Sequence, residues 1–333
     1  MRTSLLFTGI LCAILFCNCQ KSGKYYTSTG SNHTYYRIKY EYSRSLDQEL
    51  QNEFKKYYHS LNPFDSLSIV SFVNRNKTIE ADSIFIHAFR TAMQVSAQTG
   101  GIFDITAAPL INLWGFGFSK TDSISPAMID SLKSFVGFRK VRLEGNQVIK
   151  DDPRILLNFS ALGDGCICDQ IARFLDKKGI ENYLVDIGGE VMAKGLNPQG
   201  GNWSIGIVRP LDDSTGTNTE VEEIIRLSGR MGLATSGDYR NFYIKDGKKY
   251  AHTLNPVTGY PAGQNILSAT VIAQDCIIAD AYATVFMALG TAGTRELKKE
   301  HPELEYFIIY TDEEGHYSTE YSDGMKKYLT SGN

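Results

Sequence analysis

The chain has 333 residues, 42% of them hydrophobic, so it is long enough to bury a large core in one to three domains. Its formal net charge is −3, which gives no electrostatic reason to expect a nucleic-acid partner. Length and charge do not indicate an activity, so the evidence for one must come from motifs along the chain.

Residues 1–18 have the composition of a signal peptide. The apolar run over residues 5–16 follows a basic residue and is too short to span a membrane as a folded helix. Polar residues begin directly after Cys19, as in a bacterial lipoprotein signal, although Asn18 is not the small residue usual before such a cysteine. An ordinary secretory signal with a nearby cleavage site is the alternative. We expect an exported protein, held by a lipid on Cys19 at the periplasmic face of a bacterial membrane, with residues 19–33 as a polar tether.

Helices and strands mix irregularly along residues 34–333. Periodic and capped patterns predict helices over residues 45–60, 82–99, 125–134, 163–178 and 279–290. Apolar runs predict strands over residues 35–42, 141–143, 147–150, 155–159, 183–187, 203–208, 241–245, 248–252, 266–273 and 306–310. Polar connections are predicted over residues 66–80 and 210–221. Because no steady βαβ rhythm and no clear linker is present, we expect one α+β domain with a mixed, largely antiparallel sheet and packed helices.

The Ala-rich helix over residues 279–290 carries a possible metal site. Asp280 and Thr284 are four residues apart, so their side chains lie on one helix face. A carboxylate and a hydroxyl are hard oxygen ligands, suited to Mg²⁺ beside a phosphate. The same pair also occurs in ordinary helices, which leaves a plain helix face as the alternative.

His252 ends a predicted hairpin. Two short strands flank Asp246-Gly247, a dipeptide typical of two-residue hairpin turns. Histidine is the side chain most easily recruited to move a proton near pH 7. His252 is therefore a candidate proton acceptor, with a satisfied core histidine as the alternative.

Three glycine-containing turns are further candidates. Gly163-Asp164-Gly165 opens a helix, where free backbone N–H groups favour an anion such as a diphosphate. Gly188-Gly189-Glu190 permits close backbone approach, and Ser236-Gly237-Asp238 precedes the hairpin. Each could equally be an ordinary turn. Three aromatic residues could stack on a flat ring or belong to the core: Phe64, Trp114 and Phe116.

The three cysteines beyond the signal, Cys166, Cys168 and Cys276, have no zinc-site spacing. Small buried thiols are the default expectation. A disulfide between Cys276 and either of the other two is the alternative in an exported protein.

Taken together and in order, the motifs resemble the ApbE family, the FAD:protein FMN transferases, over nearly the whole exported chain. The most specific of them is His252–Pro261. The resemblance is carried by Thr99–Thr106, Asn112–Gly117, Ser160–Gly165 with Asp169, Asp186–Glu190, Ser236–Tyr239, His252–Pro261 and Ala279–Thr284. It implies an exported enzyme that takes FAD, uses Mg²⁺ and links FMN through its phosphate to a threonine of a target flavoprotein, releasing AMP.

The resemblance also implies roles for individual residues. Mg²⁺ would be held by the side chains of Asp280 and Thr284 and by the carbonyl of Ala161, with His252 at the reacting diphosphate. The positions implied for FAD are Phe64, Ile102, Phe103, Asp104, Asn158, Asp164, Ser236, Gly237, Asp238, Leu254 and Thr258.

Three departures from the family pattern bear on these roles. Asn32-His33-Thr34 stands where the family usually has Met-Gly-Thr, Asp164 stands where many members have lysine, and Asn255 replaces a common aspartate. The first two put individual flavin contacts in question.

Two other functions are compatible with the same residues. With water in place of threonine, the site would hydrolyse FAD to FMN and AMP. The protein could also be a lipoprotein that binds FAD without catalysis, although Asp280, Thr284 and His252 argue against binding alone.

Overall fold

An antiparallel sheet of eight strands forms the centre of the described part of the molecule. The structure is a computed structural model that describes residues 23–117, 124–210, 220–237, 242–245, 248–251 and 253–330; of 242–245 and 248–251 it describes the backbone only. The strands are β1 (Lys24–Asn32), β2 (Thr34–Tyr42), β3 (Val141–Glu144), β4 (Gln147–Lys150), β5 (Tyr183–Ile187), β6 (Glu190–Lys194), β7 (Trp203–Val208), β8 (Val221–Leu227), β9 (Met231–Gly237), β10 (Phe242–Lys245), β11 (Lys248–Ala251), β12 (Leu254–Asn255), β13 (Tyr260–Pro261), β14 (Ile266–Ala273), β15 (Glu305–Thr311) and β16 (Tyr317–Tyr321).

The central sheet has the order β1-β2-β5-β6-β9-β14-β15-β16, and every neighbouring pair is antiparallel. The other strands form two-stranded units: β3 with β4, β7 with β8, β10 with β11 and β12 with β13. The helices are α1 (Asp47–Leu61), α2 (Ile69–Asn74), α3 (Ser83–Gln98), α4 (Ala108–Leu113), α5 (Pro126–Lys133), α6 (Gly163–Lys177) and α7 (Cys276–Glu300). This architecture confirms the predicted α+β class.

The sheet separates two apolar clusters. Helices α1, α3, α6 and α7 contribute to the larger cluster, whereas the β7–β8 hairpin and a C-terminal 3₁₀ turn at residues 323–327 contribute to the smaller one. Strand β15 shows the arrangement, because Ile308 belongs to the larger cluster and its neighbours Phe307 and Ile309 to the smaller. Helix α7 is long and apolar enough to span a membrane, but 67% of its apolar window is buried, as in a core helix.

The predicted helix boundaries follow local chemistry. Asp82 caps α3 by accepting a hydrogen bond from the N–H of Phe85 at 2.8 Å, and Ser125 caps α5. Gly290, predicted to end a helix, has a φ of 71° and interrupts α7 there, and helical residues then continue to Glu300.

Several predicted elements differ from the structure. Lys24–Asn32, part of the predicted tether, forms β1 and pairs with β2 along its whole length. It occupies the edge of the sheet, where polar side chains remain solvated and main-chain hydrogen bonds suffice. The predicted strand over residues 155–159 is reduced to an isolated bridge between Ala107 and Leu156. The predicted connection over residues 66–80 contains α2. The signal peptide and residues 19–22 lie outside the described residues.

Strand β9 was not predicted because it contains glycine and small polar residues. Gly232 has a packing reason, since a Cβ there would lie 2.5 Å from the backbone nitrogen of Cys276. The close approach seats the start of α7 directly on the sheet. Cys276, like Cys166 and Cys168, is a free buried thiol, as the default expectation for the three cysteines predicted.

Candidate active site

A cleft of about 440 Å³ lies where the start of α6, the first turns of α7 and the end of β9 meet. It is lined by most of the predicted site residues, although they come from separate stretches of the chain. These are Ile102, Phe103, Asp104, Asn158, Ala161, Asp164, Ser236, Gly237, Leu254, Asp280 and Thr284. The structure thus brings them to one place, while their individual roles stay predictions.

Four predicted residues are not in this set. The side chain of Phe64 is 74% exposed and does not line the cleft. Thr258 is instead part of a turn, in which its hydroxyl donates to the carbonyl of Asn255 and accepts from the N–H of Tyr260, each at 3.3 Å. His252 and Asp238 lie outside the described residues.

One end of the cleft concentrates negative charge. Burial raises the pKa of Asp164 to about 6 and, together with the charge of Asp164, raises that of Asp280 to about 7. The pKa of Glu190 is also well above its ordinary value, through burial first and then the charges of Asp280 and Asp164. Within the described residues, none of these three carboxylates forms an ion pair with a basic side chain. We refer to Asp164, Glu190 and Asp280 as the acidic end.

Asp280 is held in place by contacts between α6 and α7. Its carboxylate accepts a hydrogen bond from the N–H of Gly165 at 3.0 Å. A Cβ at Gly165 would lie 2.6 Å from the carbonyl oxygen of Cys276, so the two helices meet at van der Waals distance only because glycine stands there.

Asp169, on the next turn of α6, caps α7 from outside that helix. Its two carboxylate oxygens accept hydrogen bonds from the N–H groups of Cys276 and Ile277, each at 3.0 Å. A carboxylate at a helix N-terminus satisfies donors that have no partner in the helix and complements the helix dipole. Asp169 therefore fixes the position from which α7 presents Asp280.

The acidic end offers the oxygen donors that a divalent cation needs. Thr284 lies one helical turn beyond Asp280, and its hydroxyl is 3.3 Å from that of Ser236. Ala161 belongs to the 3₁₀ turn Ser160–Leu162, which also lines the cleft. A carboxylate, a hydroxyl and a carbonyl beside uncompensated negative charge suit Mg²⁺, so the residues present fit this ion.

The other end of the cleft is largely apolar. Its walls include Ile102, Phe103, Ile111, Phe116 and Leu254. Such a surface suits a planar ring system.

Asp104 organises the loop at this apolar end. Its carboxylate accepts from the N–H and hydroxyl of Thr106, at 2.7 and 2.6 Å, and from the N–H of Phe138 at 2.7 Å. Asn158 ties the neighbouring segment to it by donating its N–H to the carbonyl of Ile105. Both residues therefore shape the cleft wall, whatever else they contact.

Trp114 supports the loop that follows His252. Its indole N–H donates to the carbonyl of Gly259 at 2.8 Å, and its ring lies 5.7 Å from that of Tyr260. The side chain is buried, which agrees with the core alternative for this residue rather than with stacking on a ligand.

Sequence reasoning missed several residues of the cleft. Glu190 is the most important of them, because it belongs to the acidic end. The motif Gly188-Gly189-Glu190 predicted only a close approach of the backbone, and no role for the glutamate side chain. The pair of glycines was the signal in the sequence, because it indicates that other groups approach the backbone closely. In the structure these groups are carboxylates: a Cβ at Gly188 would lie 2.5 Å from an oxygen of Asp164 and 3.1 Å from one of Glu190. Phe116, predicted either to stack on a flat ring or to belong to the core, lines the cleft. The other cleft residues without a predicted role are Ile105, Ala107, Ile111, Ser160, Thr235, Thr253 and Pro256.

Comparison with known families decides where this arrangement belongs. Residues 33–308 match the model of the ApbE family, which covers well over half of the chain. The chain belongs to the ApbE family. Membership accounts for the order of the motifs around the cleft and confirms the resemblance inferred from the sequence.

Curated relatives and solved structures agree with the ApbE assignment. An FAD:protein FMN transferase of Vibrio cholerae is 31% identical over 330 residues, covering 96% of this chain and 94% of the relative. One from Haemophilus influenzae is 31% identical over 343 residues, covering 97% of each. The structure of the flavin transferase ApbE from Vibrio cholerae superposes with a TM-score of 0.81 at 29% identity, covering 92% of this chain and 99% of that one. The apo flavinyl transferase ApbE of Pseudomonas stutzeri gives a TM-score of 0.80 at 28% identity, over 93% and 98%.

Proposed function

We propose that this protein is a Mg²⁺-dependent FAD:protein FMN transferase. It transfers FMN from FAD to a threonine or serine side chain of an exported or membrane flavoprotein and releases AMP. The observation that carries the proposal is the cleft itself, which joins a set of oxygen donors for a cation to an apolar wall suited to a flavin, in a chain of the ApbE family. The activity printed in the names of its relatives supports the same reaction.

The reaction is a phosphoryl transfer. The acceptor hydroxyl oxygen forms a bond to the phosphorus of the FMN moiety, while the bond from that phosphorus to the bridging oxygen breaks and AMP leaves with that oxygen. Such reactions require the diphosphate to be positioned and its charge neutralised, and they need little covalent help from the protein.

The acidic end supplies the positioning. Asp280, Thr284 and the carbonyl of Ala161 would hold Mg²⁺, with Asp280 kept in register by Gly165 and Asp169. When bound, the ion neutralises phosphoryl oxygens and stabilises the AMP leaving group. His252, which lies outside the described residues, is proposed to accept the hydroxyl proton.

The apolar end is proposed to bind the isoalloxazine ring through Ile102, Phe103 and Leu254. FAD would then lie with its diphosphate toward Asp280 and its ring against the loop organised by Asp104. In this orientation the only charged part of FAD faces the only end of the described cleft that can hold a cation.

The direct test is incubation of the purified protein with FAD, Mg²⁺ and a candidate acceptor, followed by mass measurement of the acceptor. A suitable candidate is an exported protein of the same genome that carries a Ser/Thr-Gly-Ala-Ser/Thr-type segment. We expect the acceptor to gain one FMN per modified hydroxyl, with equimolar AMP.

The same assay separates the alternatives. Release of FMN and AMP with an unmodified acceptor indicates FAD hydrolysis. Stoichiometric FAD binding without AMP under all conditions indicates a non-catalytic flavin-binding protein. Chelation of Mg²⁺ serves as the control, because it should stop AMP release without unfolding the protein.

A further inference from the structure

A second groove, of about 320 Å³, adjoins the cleft at its apolar end. The two share Asp104 and Pro256, so their rims are continuous. The groove is formed mainly by the end of α5, the 3₁₀ turn Phe138–Lys140 and the loop around Val257. We refer to it as the basic groove.

Three cationic side chains line the basic groove: Lys133, Arg139 and Lys140. None of them forms an ion pair with a carboxylate among the described residues. Lys140 donates to the carbonyl of Ser134 at 2.5 Å, and the guanidinium of Arg139 lies 4.9 Å from the centre of the Phe138 ring. Lys140 and Arg139 are thus placed by neutral partners.

Asp104 is the one acidic residue of the groove lining. Its carboxylate already accepts hydrogen bonds from Thr106 and Phe138, and it neutralises at most one of the three cations. Lys140 lies closest to it in electrostatic terms, which leaves Lys133 and Arg139 as the available positive charge.

In the proposed orientation, FAD cannot supply negative charge to compensate Lys133 and Arg139. Its diphosphate is its only charged group and is assigned to the acidic end, while the flavin and the adenosine are uncharged near pH 7. The basic groove therefore faces a different ligand, one that carries its own negative charge.

The lining of the groove indicates a peptide. Val136 and Phe138 form a buried apolar floor, and Val257 adds an exposed apolar rim with 49% of its surface accessible. An apolar floor beside cations that remain partly solvated is typical of protein interfaces, in which rim charges select the partner and speed its association.

We infer that the basic groove docks an acidic segment of the acceptor protein beyond the flavin end of the cleft, while the hydroxyl that receives FMN, a few residues away along the acceptor, reaches the diphosphate at the acidic end. This inference rests on the proposed transfer reaction and specifies its second substrate. Lys133 and Arg139 pair with glutamate or aspartate side chains of that segment, and its apolar residues lie on Val136 and Val257.

The test uses two synthetic peptides that contain the same threonine and differ only in a segment a few residues away from it, which carries glutamate residues in one peptide and glutamine residues in the other. The protein is used as wild type and as the double variant Lys133→Glu/Arg139→Glu. Lys327→Glu is the matched control, because its ammonium also lies over an aromatic ring, that of Tyr328 at 4.8 Å, but on the opposite side of the sheet. The milder variant Lys133→Gln/Arg139→Gln is used if charge reversal impairs folding.

We expect wild type to modify the glutamate peptide with the lower KM, and the double variant to raise that KM by about tenfold without changing FAD affinity. The glutamine peptide and the Lys327→Glu control should show no such change. Equal KM values for the two peptides in wild type would overturn the inference. So would a parallel loss of FAD affinity in the double variant, which would assign the groove to FAD.

Peptide binding is also measured without FAD, by fluorescence anisotropy of labelled peptides. If the wild type releases AMP but modifies neither peptide, the transfer proposal fails, whereas anisotropy still tests the groove. Preferential binding of the glutamate peptide that the double variant abolishes would support docking in that case. Equal binding of both peptides would reject it.

Discussion

The acidic end of the cleft and the basic groove that adjoins its other end differ in how far their charges are exposed to water. Asp280 is buried, and the burial raises its pKa to about 7, so its negative charge is costly until a cation compensates it. Arg139 is exposed to water and stacked on Phe138, so its positive charge costs little. Buried charge of this kind serves chemistry, where electrostatic interactions are strong, whereas solvated charge serves selection and association.

The largest effect is expected from His252→Ala, which tests whether chemistry and binding are separate at the acidic end. If His252 accepts the hydroxyl proton, FMN transfer should slow by roughly 10²–10⁴-fold, the usual scale for a general acid–base group. FAD affinity should change only a few-fold. A calorimetric FAD titration beside a single-turnover transfer assay measures both, with the exposed His316→Ala as control. Parallel loss of binding, transfer and stability would instead identify a core histidine.

Asp280→Ala should lower Mg²⁺-dependent turnover by about 10²-fold or more, because it removes the charged ligand of the proposed metal site. The fold should survive, since the variant also relieves repulsion with Asp164 and Glu190. Initial rates at limiting Mg²⁺, together with a thermal melt, measure the two effects. Asp275→Ala, at the N-cap position of the same helix and paired with Arg230, is the control. If Asp280→Ala keeps the wild-type rate at limiting Mg²⁺, Asp280 is not a ligand of the metal.

The acidic end should also make stability depend on pH. The pKa values of Asp164 and Asp280 are raised in the folded protein to about 6 and about 7, while an unfolded aspartate titrates near 3.9. The unfolded chain therefore ionises first, so the stability that these groups contribute is complete below about pH 4 and is lost as the pH rises to about 7.

Melting temperatures of the metal-free protein should accordingly fall by a few degrees between about pH 5 and pH 8. Added Mg²⁺ should reduce the fall, because it binds the ionised folded form. Asp280→Ala should flatten the profile. A metal-free melting temperature that rises across this interval would contradict the assignment of the acidic end.

The smallest effect on catalysis is expected from the anchor. If Cys19 carries the lipid, the Cys17→Ser/Cys19→Ser double variant should move from the membrane fraction to the soluble fraction, while its kcat with a peptide acceptor stays unchanged. Both cysteines are replaced because Cys17 could substitute for Cys19. Fractionation followed by immunoblotting measures the first result, and unchanged membrane association would defeat the lipoprotein proposal.

Local chemistry in the sequence predicted part of this molecule well. Asp280 and Thr284 share a helix face because four residues make about one turn, and Gly290 breaks the helix because it takes a positive φ. These features depend on near neighbours in the chain, so spacing alone reveals them.

Features that depend on distant pairing were not predictable in this way. Glu190 joins the acidic end because the turn between β5 and β6 brings it to Asp164, and Asp169 caps a helix that begins more than a hundred residues later. Strand β1 was mistaken for a tether because an edge strand needs no apolar pattern, only a partner for its main chain. The remaining site residues were predicted from the order and the residue sequence of the ApbE family motifs.

If Cys19 carries a lipid, the position of β1 limits how far the enzyme can reach from the membrane. Strand β1 begins at Lys24, so only five residue steps separate it from Cys19, and these span at most about 18 Å when fully extended. A lipid on Cys19 would therefore keep the edge of the sheet within one small-domain radius of the bilayer surface. With so short a connection to the lipid, the transferase would work on proteins that are themselves held at the membrane. A freely diffusing acceptor would have to come to that surface to be modified.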